Sequence, residues 1–154
     1  MKIESILSFE TNYAFKHFDC GDESLNKYLK TFAYLNDTNN LSKTFIAHDG
    51  DTIIGFVTLC NAQIEFKEMP KYPVPAVKIA GLAVDTKYQS KGYGKELLLF
   101  TFKKIIQVSL STGVKAVIVD AKEQSKMFYE KYGFIKIIGN TYIMLIDTLI
   151  DGLL

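Results

Sequence analysis

The sequence predicts an α+β domain built on a mixed, mainly antiparallel sheet with one splayed parallel strand pair and flanking helices. Three observations carry that prediction. The patterned segments run strand, helix, three strands, loop, helix, strand, helix, two strands. The strand-loop-helix-strand passage in the middle needs a crossover, and such a crossover joins parallel strands in the right-handed sense. With 154 residues, 48% of them apolar and 23% charged, the chain suits one domain, 1–154, with a full core.

Ile3 to Phe9 reads as the first strand. Asp22 is placed to cap a helix over 23–36, where Leu25, Tyr28, Leu29, Phe32 and Leu35 recur at helical spacing. Asn36-Asp37-Thr38-Asn39-Asn40 ends that helix. Thr44 to His48 and Ile53 to Asn61 form a hairpin across Asp49-Gly50-Asp51-Thr52. The second strand is apolar on both faces, as an interior strand is. Pro70, Pro73 and Pro75 mark a stiff connection into a central strand that carries Ile79, Leu82 and Val84. A helix over 93–111 is apolar almost all round and is expected to bury more than one side, with Gly113 as its left-handed cap. Val114 to Val119 is a short strand, and Glu123 to Tyr132 is a second helix closed by Gly133. Phe134 to Ile138 and Thr141 to Ile146 make a last hairpin across Gly139-Asn140.

Composition excludes several classes. No apolar run approaches the roughly 20 residues that span a bilayer, and Met1-Lys2-Ile3-Glu4 does not begin a secretory signal. A cytoplasmic protein without membrane contact is expected. Cys20 and Cys60 lack metal-ligand spacing and read as buried free thiols. His17 and His48 have no ligand partner one helical turn away, so no metal site is expected. The net charge of +1 is unevenly spread, with seven lysines against ten acids from Met1 to Ala76 and eleven against seven from Val77 onward. All 18 positive charges are lysines, so phosphates must be met by point charges rather than by guanidinium forks.

The basic half holds the most informative stretch. After the central strand, Asp85-Thr86-Lys87 turns into Gln89-Ser90-Lys91-Gly92-Tyr93-Gly94, and the helix former Lys95-Glu96-Leu97-Leu98-Leu99 follows at once. A loop that opens directly onto a helix aims unpaired N–H groups and the positive end of the helix dipole at one point, which makes an anion site. Lys91 and Lys95 add charge, so a pyrophosphate suits it. No G-x-x-x-x-G-K-[ST] is present, and Leu97 stands where the third glycine of a dinucleotide loop would be.

Gln89, Gly92 and Gly94 match, position for position, the Q/R-x-x-G-x-G/A acyl-CoA loop of the GNAT acetyltransferases, which this chain resembles over nearly its whole length. The resemblance implies acetyl-CoA as co-substrate. It places contacts to the pantetheine arm on the backbone of Leu82, Ala83 and Val84, and pyrophosphate contacts on Gln89, Ser90, Lys91, Gly92, Tyr93, Gly94 and Lys95. A second stretch, 123–134, resembles the family's other signature through Phe128, Tyr129, Gly133 and Phe134. By that resemblance Ser125 and Phe128 border the pantetheine arm, and Tyr129 lies beside the thioester sulfur as the catalytic residue.

Proton accounting says what Tyr129 would do there. When an amine attacks a thioester, negative charge builds first on oxygen and then on sulfur. A backbone N–H near Val84 would meet the first and the Tyr129 hydroxyl the second; one oxyanion donor is worth about 3 to 4 kcal/mol. A phenol of pKa near ~10 facing a thiol of roughly 8.5 transfers its proton uphill, yet as a hydrogen-bond donor it still lowers the barrier. No base for the attacking amine stands out. Glu65, Glu68 and Asp120 are carboxylates that equally suit a solvated surface.

A narrower resemblance names an acceptor. Phe18, Cys20-Gly21, Leu25-Asn26, Tyr28-Leu29, Ile54-Gly55-Phe56, Tyr72-Pro73-Val74-Pro75-Ala76 and Leu82-Ala83-Val84-Asp85 look like the GNAT toxins of bacterial toxin-antitoxin pairs. That likeness implies the α-amine of aminoacyl-tRNA as acceptor and a ribbon-helix-helix antitoxin as partner; assembly as a homodimer is also expected. Gly81 departs from the arginine common before L-A-V-D in those toxins. Lys78, Lys87, Lys91, Lys103 and Lys104 are left to meet RNA phosphates. The alternatives are an N-acetyltransferase for a polyamine, amino sugar or peptide amine, and a CoA-binding module without transfer activity.

Overall fold

The computed structural model describes residues 1–9, 12–65 and 73–153. Its strands are β1 (Lys2–Ser5), β2 (Lys43–His48), β3 (Ile53–Ile64), β4 (Val74–Val84), β5 (Ala116–Asp120), β6 (Ile135–Ile138) and β7 (Thr141–Leu145). They form one seven-stranded sheet in the order β1-β2-β3-β4-β5-β7-β6. The pair β4 and β5 is parallel, with Ala76 to Ile79 opposite Ala116 to Val119. The flanking pairs β1/β2, β2/β3, β5/β7 and β6/β7 are antiparallel. The mixed sheet with one parallel pair is therefore as the sequence predicts. No helix among the described residues is long and apolar enough to cross a membrane.

The helices are α1 (Asn12–His17), α2 (Glu23–Lys27), α3 (Ala33–Thr38), α4 (Tyr93–Ser109), α5 (Lys126–Lys131) and α6 (Ile146–Leu153). Packing divides the chain into two compact units, Met1–Cys60 with Gly81–Thr101 and Asn61–Ala80 with Phe102–Leu154. β3, β4 and α4 run through both. In the first unit Ile6, Phe18, Leu29, Ala33, Ile46 and Phe56 are core residues. In the second, Ile64, Val74, Ala76, Ala116 and Ile143 form a core of their own.

Five details depart from the sequence expectation, each for a local reason. The first strand stops at Ser5, because the Ser5 side chain accepts the Leu7 N–H and starts a 3-10 turn at Ile6–Ser8. The helix expected over 23–36 is α2, a wide π turn at Tyr28–Phe32, and α3. A π turn takes one residue more than an α turn and so re-phases the stripe. Leu29 and Ala33 are buried, whereas Phe32 and Leu35 are 44% and 57% exposed. Pro75 lies inside β4 rather than in a connection. It sits near the strand start, where a missing N–H costs little, and its carbonyl accepts the Lys115 N–H at 2.9 Å. Gly113 is not left-handed; the last turn of α4 closes through Ser111 and Thr112 N–H bonds to the Val108 carbonyl. Finally, α6 follows β7 directly. Ile146, Leu149, Ile150 and Leu153 have the three- and four-residue spacing that announces it.

Candidate active site

Ten of the residues singled out from the sequence, Leu82, Ala83, Val84 and Gln89 through Lys95, lie in the first unit, and Ser125, Phe128 and Tyr129 lie in the second. Each group is organised by its own neighbours.

In the first unit β4 continues beyond its four paired steps with β5, so Leu82, Ala83 and Val84 follow the paired stretch. The strand ends at Asp85, whose N–H donates to the Ile54 carbonyl at 2.8 Å. Gly55 is what lets β3 lie so close. A Cβ there would stand 2.6 Å from the Ala83 carbonyl oxygen and 2.8 Å from Leu97 Cδ1. Only a residue without a side chain fits.

A 3-10 turn at Thr86–Tyr88 leads to the loop, where Ser90 (φ 62) and Gly92 (φ 90) are both left-handed. Alternation into the left-handed region turns successive N–H groups toward one side, as anion-binding nests do. The first helical bond runs from the Glu96 N–H to the Gly92 carbonyl at 3.2 Å, so the N–H groups of Tyr93, Gly94 and Lys95 have no carbonyl a turn behind them within the helix. A Cβ on Gly92 would meet nothing within 4 Å, so this glycine serves backbone conformation and leaves open space. Lys87, Lys91 and Lys95 are all exposed around it. The loop is thus an exposed, lysine-flanked set of N–H donors, which suits a pyrophosphate.

The Gln89 side chain does not point into that space. Its Nε2 donates to the Val84 carbonyl at 2.8 Å and the Cys20 carbonyl at 3.1 Å. Asp85, read from sequence as a turn former, is 1% exposed. Its carboxylate accepts the Lys87 N–H at 2.9 Å and the Asp19 N–H at 3.1 Å. These cross-links to residues far away in sequence carried no signal in the chain itself.

In the second unit Tyr129 lies on α5 and is 4% exposed. Its ring meets Phe128 edge-on at 5.2 Å and Phe134 at 5.3 Å, and Phe134 stacks on Phe102 at 6.0 Å. Gly133 (φ 96) turns the chain so that the Phe134 N–H reaches the Tyr129 carbonyl at 3.1 Å. The Y-G-F ending is therefore the clamp that fixes the ring. Ser125 and Phe128 are half-buried on the same short helical stretch.

Burial pushes the Tyr129 hydroxyl well above the usual phenol range, which keeps it a neutral donor. The linkage follows from the sign. A group whose folded pKa is raised stabilises the fold fully below its unfolded pKa, about 10 for tyrosine, and that contribution is lost as pH rises beyond it. The thermal midpoint is expected to fall as pH is raised past about 10, and Tyr129→Phe should make that fall shallower. An unchanged slope in the variant would contradict the burial argument. Tyr142, whose hydroxyl donates to Glu130 Oε1 at 2.7 Å, is raised by that bond and adds to the same fall.

Of the three candidate bases, Asp120 is the least suited. Hydrogen bonds from Lys78 and then Thr141, each 2.8 Å, hold its carboxyl below the usual carboxylate range, and a weak base takes no proton from an ammonium group. Glu65 is exposed, and Glu68 lies outside the described residues. No cluster of three or more histidine, cysteine or acidic side chains suited to a metal occurs among the described residues.

Residues 40–136 match the acetyltransferase (GNAT) domain model. A tRNA-acetylating toxin of Mycobacterium tuberculosis strain H37Rv is 29% identical over 125 residues, covering 76% of this chain and 75% of that one. The structure of a tyrosine-to-phenylalanine variant of the toxin AtaT, bound to the C-terminus of the antitoxin AtaR and acetyl-CoA, superposes with a TM-score of 0.86 at 26% identity, covering 96% of this chain and 94% of that one. AtaT complexed with acetyl-methionyl-tRNA gives 0.86 at 27% identity over 99% and 98%. With a family model spanning most of its length and the same mixed sheet, this chain belongs to the GNAT acetyltransferase family.

Proposed function

We propose that residues 1–154 form one cytoplasmic acetyltransferase domain that moves the acetyl group of acetyl-CoA to the α-amine of aminoacyl-tRNA, and that a ribbon-helix-helix antitoxin holds it in check. The observation that carries this reading is the likeness, over 99% of the chain, to a toxin structure in complex with acetyl-methionyl-tRNA. The N–H groups of Gln89 through Lys95 receive the pyrophosphate of acetyl-CoA, and the backbone of Leu82, Ala83 and Val84 pairs with its pantetheine arm. The neutral amine attacks the thioester carbonyl, the C–S bond breaks as the Tyr129 hydroxyl donates a hydrogen bond to the departing thiolate, and the proton lost from the amine passes through water to that sulfur, which leaves as the CoA thiol.

Exposed Lys87, Lys91 and Lys103 supply point charges for RNA phosphates, while Lys78 is already engaged with Asp120 at 2.8 Å. The test is transfer of labelled acetyl from acetyl-CoA to a panel of aminoacyl-tRNA, uncharged tRNA, spermidine, glucosamine and a short peptide. Label on aminoacyl-tRNA, strongest at low salt and absent from uncharged tRNA, is expected. Label on spermidine, glucosamine or the peptide alone would replace this acceptor with a small amine.

A further inference from the structure

The loop assigned above to the pyrophosphate is tied to a second segment, Asp19 to Asp22, that leads into α2. Three hydrogen bonds make the tie. The Asp19 N–H donates to Asp85 Oδ2 at 3.1 Å, the Thr86 N–H to the Asp19 carbonyl at 2.9 Å, and Gln89 Nε2 to the Cys20 carbonyl at 3.1 Å. On its other side the same segment is bound to α2. Asp19 Oδ1 accepts from the Gly21 N–H and from Asn26 Nδ2, both at 2.9 Å, and Asn26 Oδ1 accepts the Cys20 N–H at 2.9 Å. Asp22 Oδ1 caps the helix through the Ser24 and Leu25 N–H groups at 3.0 and 3.1 Å. Asn26 and Asp85 are both buried, so water does not readily replace the bonds those two side chains make.

We infer that Asp85 and Gln89 are positioning residues that couple occupancy of the phosphate loop to the order of 19–26, so that acetyl-CoA binding stiffens the first turn of α2. Gln89 is the exposed link of the pair. Its amide is spent on two carbonyls, one at the end of β4 and one in the 19–22 segment, and any ligand that holds the backbone of 89–95 also holds that amide in place. Coupling of this kind is reciprocal. Whatever seats on the start of α2 raises the affinity for acetyl-CoA by the factor with which acetyl-CoA steadies α2.

This inference rests on acetyl-CoA binding at the loop, and amide hydrogen exchange with and without saturating acetyl-CoA separates the two claims. In the unaltered protein, exchange is expected to slow over 90–95 and, by about threefold or more, over 19–26. In Gln89→Leu, which removes the side-chain donor but keeps the backbone N–H, and at acetyl-CoA concentrations that saturate the variant at its own dissociation constant, slowing over 90–95 should persist while that over 19–26 is reduced. Gln89→Arg, which restores donors toward both carbonyls, should recover it. Slowing over 90–95 with 19–26 unchanged in the unaltered protein, or an equal response of 19–26 in Gln89→Leu, would overturn the coupling and leave the cofactor site intact. No slowing in either segment would overturn both. A purely structural role for Gln89 would lower the melting temperature without altering how 19–26 responds to acetyl-CoA.

Discussion

Tyr129→Phe is expected to lower the turnover of acetyl transfer about 100- to 1,000-fold, the range found when one preorganised donor to developing charge is removed, while the dissociation constant for acetyl-CoA stays within about twofold. The split follows from the surroundings of the ring. Phe128 at 5.2 Å and Phe134 at 5.3 Å hold it by edge contacts that phenylalanine keeps, so the substitution removes one hydroxyl and little packing. That hydroxyl remains protonated across the working pH because burial raises its pKa, and in the proposed mechanism its effect is confined to the step in which sulfur gains charge. Single-turnover transfer together with calorimetric binding of acetyl-CoA checks both halves. Unchanged turnover would remove Tyr129 as donor. Weakened binding with unchanged turnover would make it part of the cofactor cleft.

The largest effect on stability is expected from Gly55→Ala. A Cβ 2.6 Å from the Ala83 carbonyl oxygen and 2.8 Å from Leu97 Cδ1 cannot be relieved by the leucine alone, because the nearer atom belongs to the backbone of β4. Either β3 and β4 move apart or Ala83 rotates. Overpacking of this kind costs about 1 to 3 kcal/mol, and each kcal/mol lowers the melting temperature by about 2 to 4 °C in a chain of this size. The Ala83 carbonyl belongs to the strand end that carries the proposed pantetheine contacts, so acetyl-CoA binding should weaken as well. Thermal unfolding and acetyl-CoA titration of the same preparation check this, and a variant with native melting temperature would show that the strands tolerate the separation. The contrast with Gly92 is informative, because open space surrounds its missing Cβ and only its left-handed backbone demands glycine.

Much of this arrangement is legible in the sequence because it depends on local pattern. The apolar run 53–59 marks an interior strand, the 79–95 passage marks a strand, loop and helix, and Gly133 closes the short helix with the left-handed geometry that a glycine there suggests. Less legible are features decided by contacts between distant segments. Nothing in the run 23–36 announces that a π turn rotates Phe32 and Leu35 outward, and Pro75 is accommodated inside β4 because it sits at the strand start, where a missing N–H costs little. Gln89 illustrates the boundary within the site. Its place in the loop motif is visible in the chain, but its side chain reaches Cys20, 69 positions away, and only the fold brings them together. The sequence reading also misses α6, extending the last strand to Ile146, although the spacing of Ile146, Leu149, Ile150 and Leu153 carries a helical period.

The most direct test of the account is the chemical identity of the acetylated product. Aminoacyl-tRNA is incubated with acetyl-CoA and the protein, the ester is hydrolysed under mild alkali, and the released amino acid is weighed by mass spectrometry. The account predicts the N-acetyl amino acid from the unaltered protein and the unmodified amino acid from Tyr129→Phe over the same time. Unmodified amino acid from both, with acetyl-CoA consumed and N-acetylspermidine formed when spermidine is added, would contradict it and make this chain a small-amine acetyltransferase.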